Sequence, residues 1–262
     1  MGLDERFTGR TVIVTGAATG IGAAIARGFA AAGAWVCGID VDGPRLDGLV
    51  ASLPHPGHAF TGDITDETAM RTVAGRVLDL RGGIDVVVNN AGIAGPQSPV
   101  DQTSLEDWNR TLAVNLTGTF LLCKHTLPAL RRSRGAIVNI ASALALIGWP
   151  NECAYGPTKA AIVQLTKGMA VDYAPDVRVN CVCPGAVRTE MIESVVSKDI
   201  DLETALAEYG QVHPLHRRLA WPREIAAAVM FLASDDASLI TGAALPVDGG
   251  FSIAGRGRGR VE

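Results

Sequence analysis

Residues 11–22 constrain the fold more than any other stretch of the chain. Thr11–Thr15 (TVIVT) is a β-branched run suited to a strand buried on both faces. It leads directly into Gly16-Ala17-Ala18-Thr19-Gly20-Ile21-Gly22 and an Ala-rich segment, Gly20–Ala32, that reads as a helix closed by Gly33. A strand, a glycine-rich turn and a helix N-terminus in direct succession form a place where backbone can approach a pyrophosphate. Gly16 allows the sharp turn, Gly20 the close approach and Gly22 close packing of helix on strand. Free N–H groups of the first helical turn then face the phosphates. Trp35–Asp40 reads as the next strand, and it ends in an acid 18 residues beyond Gly22. A carboxylate at that place accepts hydrogen bonds from a ribose 2′-hydroxyl, so NAD is the expected cofactor.

The same alternation continues to the end of the chain. Helices are expected over Pro44–Ser52, from a cap at Thr65 or Asp66 to about Leu80, and over Ser104–Arg132, with Asp107 in a near capping box. Two more are expected over Glu152–Tyr173 and Pro222–Ala233. Strands are expected over His58–Thr61, Ile84–Asn89, Ala136–Ala141, Val177–Val182 and Ala244–Val247. About seven buried strands alternating with helices predict an α/β fold, a Rossmann-like doubly wound parallel sheet with helices on both faces. Residues 1–254 read as one domain for cofactor and catalysis. The tail GRGRGRVE, 255–262, reads as a solvated end or as an arm packed on a neighbouring subunit.

Composition narrows the function. Hydrophobic residues make up 48% and charged residues 19%, which excludes a disordered chain. A net charge of −4 argues against a protein that tracks nucleic-acid phosphates. The five cysteines are odd in number and form no CxxC or Cys/His cluster, so no metal site and no disulfide framework are expected, and a reducing cytoplasm suits them. The start MGLDERFTGR reads as neither a signal nor a transit peptide. The apolar stretch Ile21–Ile39 carries Arg27, Gly28 and Gly33 and reads as helix then strand, not a membrane span.

The motifs TGAATGIG at 15–22, NNAG at 89–92, Asn115, Ser142, Tyr155-Gly156-Pro157-Thr158-Lys159 and Pro184-Gly185 stand in the order and spacing of one family. The chain resembles the short-chain dehydrogenase/reductase family over about Thr8 to Ser252. The resemblance implies an NAD(P)-dependent oxidoreductase with one Rossmann-like domain, commonly a homotetramer. It places Asn90, Ala91 and Gly92 along the adenosine ribose and Asp63 and Ile64 at the adenine. Pro184 and Gly185 would run beneath the nicotinamide, with Val187 and Thr189 bonding its carboxamide or the phosphate. Ser142 would hold the substrate oxygen, and Asn115 a water that relays protons to Lys159. Lys159 would also bond the nicotinamide ribose.

Tyr155 and Lys159 lie four residues apart and so share a helix face. A free tyrosine ionises near ~10, and bringing it to ~7 takes about 4 kcal/mol of differential stabilisation. The Lys159 ammonium and a positive nicotinamide are the expected sources. Tyr155 then serves as general base for alcohol oxidation and general acid for ketone reduction. Pro157 inside this motif is tolerable if the helix starts near Ala154.

Residues 190–219 lack a strand pattern and suit two short helices, Met191–Val196 and Leu202–Tyr209, as a lid. Met191, Ile192, Val195, Leu206 and Tyr209 are its apolar members, with Trp149, Cys153 and Leu144 on the opposite wall. His213 reads as a pocket residue or, more simply, as a turn residue before Pro214. No carboxylate-binding arginine stands out, which favours a small, neutral, fairly apolar substrate. Competing readings are an NADPH-dependent ketoreductase, including one acting on an acyl thioester, and a non-catalytic dinucleotide-binding protein. Asp40, and Thr19 in place of a basic residue, argue against the first. The family resemblance also implies a D₂ tetramer. The helices Ser104–Arg132 and Glu152–Tyr173 would pair with their copies through Leu112, Leu116, Phe120, Ile162 and Leu165. The last strand and Pro222–Ala233 would form a second contact.

Overall fold

The computed structural model describes residues 5–196 and 199–254. Seven parallel strands run β1 (Thr11–Thr15), β2 (Trp35–Asp40), β3 (His58–Thr61), β4 (Val86–Asn89), β5 (Ala136–Ile140), β6 (Arg178–Pro184) and β7 (Ala244–Val247). Their order across the sheet is β3-β2-β1-β4-β5-β6-β7. The order reverses between β1 and β4, where loops leaving the two strands part to opposite faces and open a crevice at the strands' C-terminal ends. The doubly wound sheet expected from the alternation is the fold observed. The tail 255–262 lies outside the described residues.

Helices α1 (Gly20–Ala31), α2 (Gly43–Ala51) and α3 (Glu67–Arg81) follow the first three strands; α4 (Leu105–Leu112) and α5 (Gly118–Ser133) precede β5. Next come α6 (Tyr155–Asp172), α7 (Glu190–Val195), α8 (Leu202–Gly210) and α9 (Pro222–Ala233). One apolar layer sets Ile25 and Phe29 of α1 and Val229 and Leu232 of α9 against Val14 and Val88 of the sheet. The other sets Met70 and Val73 of α3 and Leu122 and Leu130 of α5 against Ile13, Val87 and Ile137. Each such fully buried side chain stabilises the fold by roughly 1.5–3 kcal/mol.

Several boundaries shift by a single residue, and four elements differ from the sequence expectation by more, each for a structural reason. Strand β4 begins at Val86 because Asp85 turns its carboxylate back onto the Thr11 amide (2.8 Å) and Arg10 (3.2 Å). Strand β6 runs on to Pro184 because Cys183 and Pro184 find partners in Pro246 and Val247 of β7. Helix α6 starts at Tyr155, so Pro157 falls in its first turn, where no N–H bond is lost. The long helix expected from Ser104 is interrupted by a π-helical turn, Ala113–Thr117, between α4 and α5. Such turns widen the helix by one residue and often mark functional positions.

Candidate active site

The glycine-rich turn is held by the start of the next motif. Asn90 donates from Nδ2 to the carbonyls of Thr15 (3.0 Å) and Gly16 (3.1 Å), and Thr15 Oγ1 accepts from the amides of Asn90 and Ala91 (both 3.0 Å). Gly16 sits at φ +62°, and a Cβ there would lie 2.9 Å from Ala91 Cα. Gly22 does not face the cavity; a Cβ on it would overlap the Gly16 carbonyl oxygen, so its role is to close the turn on itself. No acidic side chain occupies the first turn of α1. Asp40 is oriented by backbone: Oδ2 accepts from the Ala18 amide (2.9 Å) and Oδ1 from the Asp42 amide (3.0 Å). A carboxylate has about four acceptor positions, which leaves capacity for ribose hydroxyls. Asp63 lines the wall and also bonds the Thr65 amide (2.8 Å), whereas Asp66 is the cap of α3.

The cavity in the crevice measures about 600 Å³. Every expected cofactor and catalytic residue lines it except Gly22 and Asn115. A phosphate-sized path along small residues, a helix N-terminus without acids and a backbone-oriented carboxylate at one end fit a dinucleotide. Asn115, in the π-helical turn, lies behind the wall and is 1% exposed. Its Oδ1 accepts from the Ile93 amide (2.8 Å), and its Nδ2 donates to the Ile93 carbonyl (2.9 Å) and Thr158 Oγ1 (3.2 Å). These bonds anchor the segment after β4; they use both Nδ2 hydrogens and one of the two Oδ1 acceptor positions.

Ser142 follows β5, and its Oγ accepts from the Leu144 amide (3.1 Å). Burial pushes the Tyr155 hydroxyl up to about 12, opposed by a hydrogen bond with Ser142 and reinforced by the charges of Glu152 and Tyr209. The expected lowering by Lys159 is therefore not seen in the chain alone. Lys159 Nζ donates to the Ile140 carbonyl (3.0 Å), 5.6 Å from the Tyr155 ring centre, and its own burial brings it down to about 8. Desolvation dominates both groups and favours the neutral form of each.

The substrate side differs more from expectation. Helices α7 and α8 cover the site, and Met191, Ile192, Val195 and Tyr209 line it, but Leu206 is 2% exposed inside the cover's own apolar cluster. Leu144 and Trp149 line the opposite wall. Cys153 does not: its Sγ bonds the Ser98 carbonyl (3.2 Å) and Thr103 Oγ1 (3.0 Å). Glu152 takes the place on the wall, with Gln97, Arg110 and Phe251, none of which the sequence reading had singled out. Phe251 stacks edge-on against Trp149 at 5.1 Å. The one available signal was the Gly249-Gly250 pair, both at positive φ, which turns the chain back over the site. Burial lifts the Glu152 carboxyl to about 7. His213 is more than a turn residue. It is buried, Nδ1 meets the Arg218 carbonyl (2.6 Å) and Nε2 accepts from the Ala186 amide (2.9 Å), which fixes the neutral Nδ1–H tautomer beneath the segment after β6.

Comparison with known proteins agrees with this geometry. A family model described as "Enoyl-(Acyl carrier protein) reductase" matches residues 16–252. The chain is 40% identical over 255 residues to an L-fucose dehydrogenase of Mus musculus, covering 97% of this chain and 92% of that one. It is 40% identical over 248 residues to a meso-2,3-butanediol dehydrogenase of Serratia marcescens, covering 94% and 95%. The ligand-free structure of an aldohexose dehydrogenase of Thermoplasma acidophilum superposes with a TM-score of 0.88 at 36% identity, covering 98% and 97%.

Proposed function

This chain belongs to the short-chain dehydrogenase/reductase family of oxidoreductases, and from that premise we propose that it is an NAD-dependent dehydrogenase of small, neutral secondary alcohols and their ketones. The observation that carries the reading is the convergence of Ser142, Tyr155 and Lys159 on one cavity wall, with Lys159 one helical turn from Tyr155 and its Nζ 5.6 Å from the Tyr155 ring centre. The relatives named for L-fucose, meso-2,3-butanediol and an aldohexose support the substrate class.

Gly16, Thr19, Gly20 and Ile21 hold the dinucleotide's phosphates, Asp40 its ribose, Asp63 and Ile64 its adenine side, and Val187 and Thr189 its nicotinamide end. When bound, NAD accepts the hydride in oxidation, and NADH supplies it in reduction. Ser142 and Tyr155 orient the substrate oxygen between their hydroxyls. Tyr155 gives its proton to that oxygen in reduction and takes it back in oxidation. The elevated Tyr155 keeps the chain alone in the proton-donating state; positive charge from Lys159 and oxidised nicotinamide is what favours the phenolate in oxidation. Asn115 and His213 are positioning residues: one fixes the segment after β4, the other the segment after β6.

Asp40 supports NAD over NADP. A 2′-phosphate beside it brings like charges to ~4 Å, where each unit pair costs on the order of 4 kcal/mol at an effective dielectric of about 20, before screening and relaxation. Arg45, the nearest candidate to offset this, is paired with Glu190 (2.8 Å) and Asp42 (3.5 Å).

One catalytic domain over residues 1–254 with a cover at 190–219, a cytoplasmic location and a homotetramer complete the proposal. No helix among the described residues is long and apolar enough to cross a membrane. Phe120 is 48% exposed on α5, which suits a subunit contact, whereas Ile162 is 1% exposed in the monomer core and drops out of the expected face. Light scattering at micromolar concentration tests the tetramer; a monomer refutes it. The reaction is tested by screening secondary alcohols and polyols with NAD for NADH formation. Absence of turnover across the screen overturns it.

A further inference from the structure

The substrate wall is largely apolar, with Arg110 and, together, Glu152 and Gln97 as its charged and amide members. Leu144, Trp149, Tyr209 and Phe251 surround a carboxyl, Glu152, and an amide, Gln97. Two contacts hold these residues in place. Ser98 and Glu152 pair backbone to backbone in a parallel bridge, which ties the segment carrying Gln97 to the start of α6. Cys153 Sγ on the Ser98 carbonyl and on Thr103 closes the same junction from behind. Gln97 Nε2 donates to Glu152 Oε1 (3.3 Å), and among the described residues Oε2 has no hydrogen-bond partner. Glu152 stands three residues before Tyr155, near enough for its charge to act on both Tyr155 and Tyr209.

A carboxyl taken out of water in an apolar wall is costly unless something restores its hydrogen bonds. The backbone bridge fixes where the two side chains start: Gln97 stands exposed at the mouth of the cavity, and Glu152 is half-buried beside it. Among the described residues neither Gln97 Oε1 nor Glu152 Oε2 has a hydrogen-bond partner, and both line the cavity that holds the Tyr155 hydroxyl. A neutral hydroxyl, which both donates and accepts, satisfies such a pair. A substrate carboxylate would meet like charge. An apolar group would leave the carboxyl unpaired, and an analogue lacking the matching hydroxyl is rejected by a site built this way.

Resting on the proposed oxidation of secondary alcohols, we propose that Glu152 and Gln97 form a recognition site for a second substrate hydroxyl, which makes this enzyme selective for diols and polyols over mono-alcohols. Glu152 is then the specificity-determining residue, and Gln97 orients it.

The test compares cyclohexanol with cis-1,2-cyclohexanediol on the NAD-loaded enzyme, in the wild type, Glu152→Leu and Glu152→Gln. The expected result is a wild-type preference for the diol in kcat/KM. Glu152→Leu reduces that preference at least tenfold, through KM, and Glu152→Gln restores part of it. Any change that Glu152 imposes on Tyr155 affects both alcohols alike and cancels in the ratio. Equal effects on diol and mono-alcohol overturn the inference, as does a stronger preference for trans-2-aminocyclohexanol, which marks a cation site. Saturation-transfer NMR of the two alcohols with enzyme and NADH reads the same selectivity without turnover. Diol-selective binding with no turnover of either alcohol breaks the proposed reaction and keeps the inference. Turnover of both without selectivity breaks the inference and keeps the reaction.

Discussion

From Gly16 to Asp40 the cavity wall is made largely by backbone: a glycine turn at positive φ, the free amides opening α1, and a carboxylate held by two main-chain N–H groups. Across the cavity, from Leu144 through Glu152 to Tyr209 and Phe251, the wall is made by side chains from segments far apart in the chain. The first wall leaves no room for a side chain at Gly16 or Gly22, since an added Cβ there meets main chain. The second keeps its backbone while its side chains define the space. One half of the site is thereby committed to a fixed cofactor, and the other is free to define a substrate.

The sharpest way to separate the two walls is Tyr155→Phe. It is expected to lower turnover at least ~100-fold while NADH still binds, as read by fluorescence titration. Near-normal turnover sinks the proton-transfer role. Gly22→Ala acts on the other wall. Its Cβ overlaps the Gly16 carbonyl oxygen, and overpacking of this kind costs about 1–3 kcal/mol. Weaker dinucleotide binding is expected, with the cover helices intact by circular dichroism; unchanged affinity shows that the turn yields more than its contacts imply. Asp40→Ala is smaller, and is expected to narrow the NAD-to-NADP ratio of kcat/KM by about tenfold, the size of a single ~1.4 kcal/mol interaction. A wild type that prefers NADP shows that Asp40 turns away from the ribose or that a basic residue reaches in.

The smallest effect is on stability. The folded Glu152 carboxyl ionises near about 7, above its unfolded value of 4.5. Its contribution is therefore fully present below the unfolded value and is lost as pH rises through the folded one. Glu152→Gln removes that loss, so its melting temperature relative to wild type should be higher at about pH 8.5 than at about pH 5. A constant difference across this range places Glu152 in solvent rather than in the wall.

Much of the fold and the cofactor wall was legible in the residues. Thr11–Thr15, His58–Thr61 and Ala244–Val247 were expected and found with the same bounds, because short apolar segments between turn residues, β-branched throughout in the first, are a local signal. The turn at 16–22 and Asp40 were legible for the same reason: φ, caps and short loops are set by neighbours in sequence. The lid helices were also placed within a residue or two. What was not legible is where their side chains point. Leu206 and Met191 look alike in sequence, yet one packs inside the cover and the other faces the cavity.

Sequence alone thus determined the strand order's raw material, the glycine turn, the acid that ends β2 and the Tyr155–Lys159 spacing. Only the tertiary structure decided that Asn115 stands behind the wall, that Cys153 turns away and Glu152 turns in, and that Tyr155 and Lys159 are both held toward neutrality. The physical reason is range. Backbone conformation and helix spacing are settled over a few residues, whereas burial and hydrogen-bond partnership depend on segments brought together from positions 97 to 251. Desolvation, which dominates the shifts of Glu152, Tyr155 and Lys159, exists only once those segments have met.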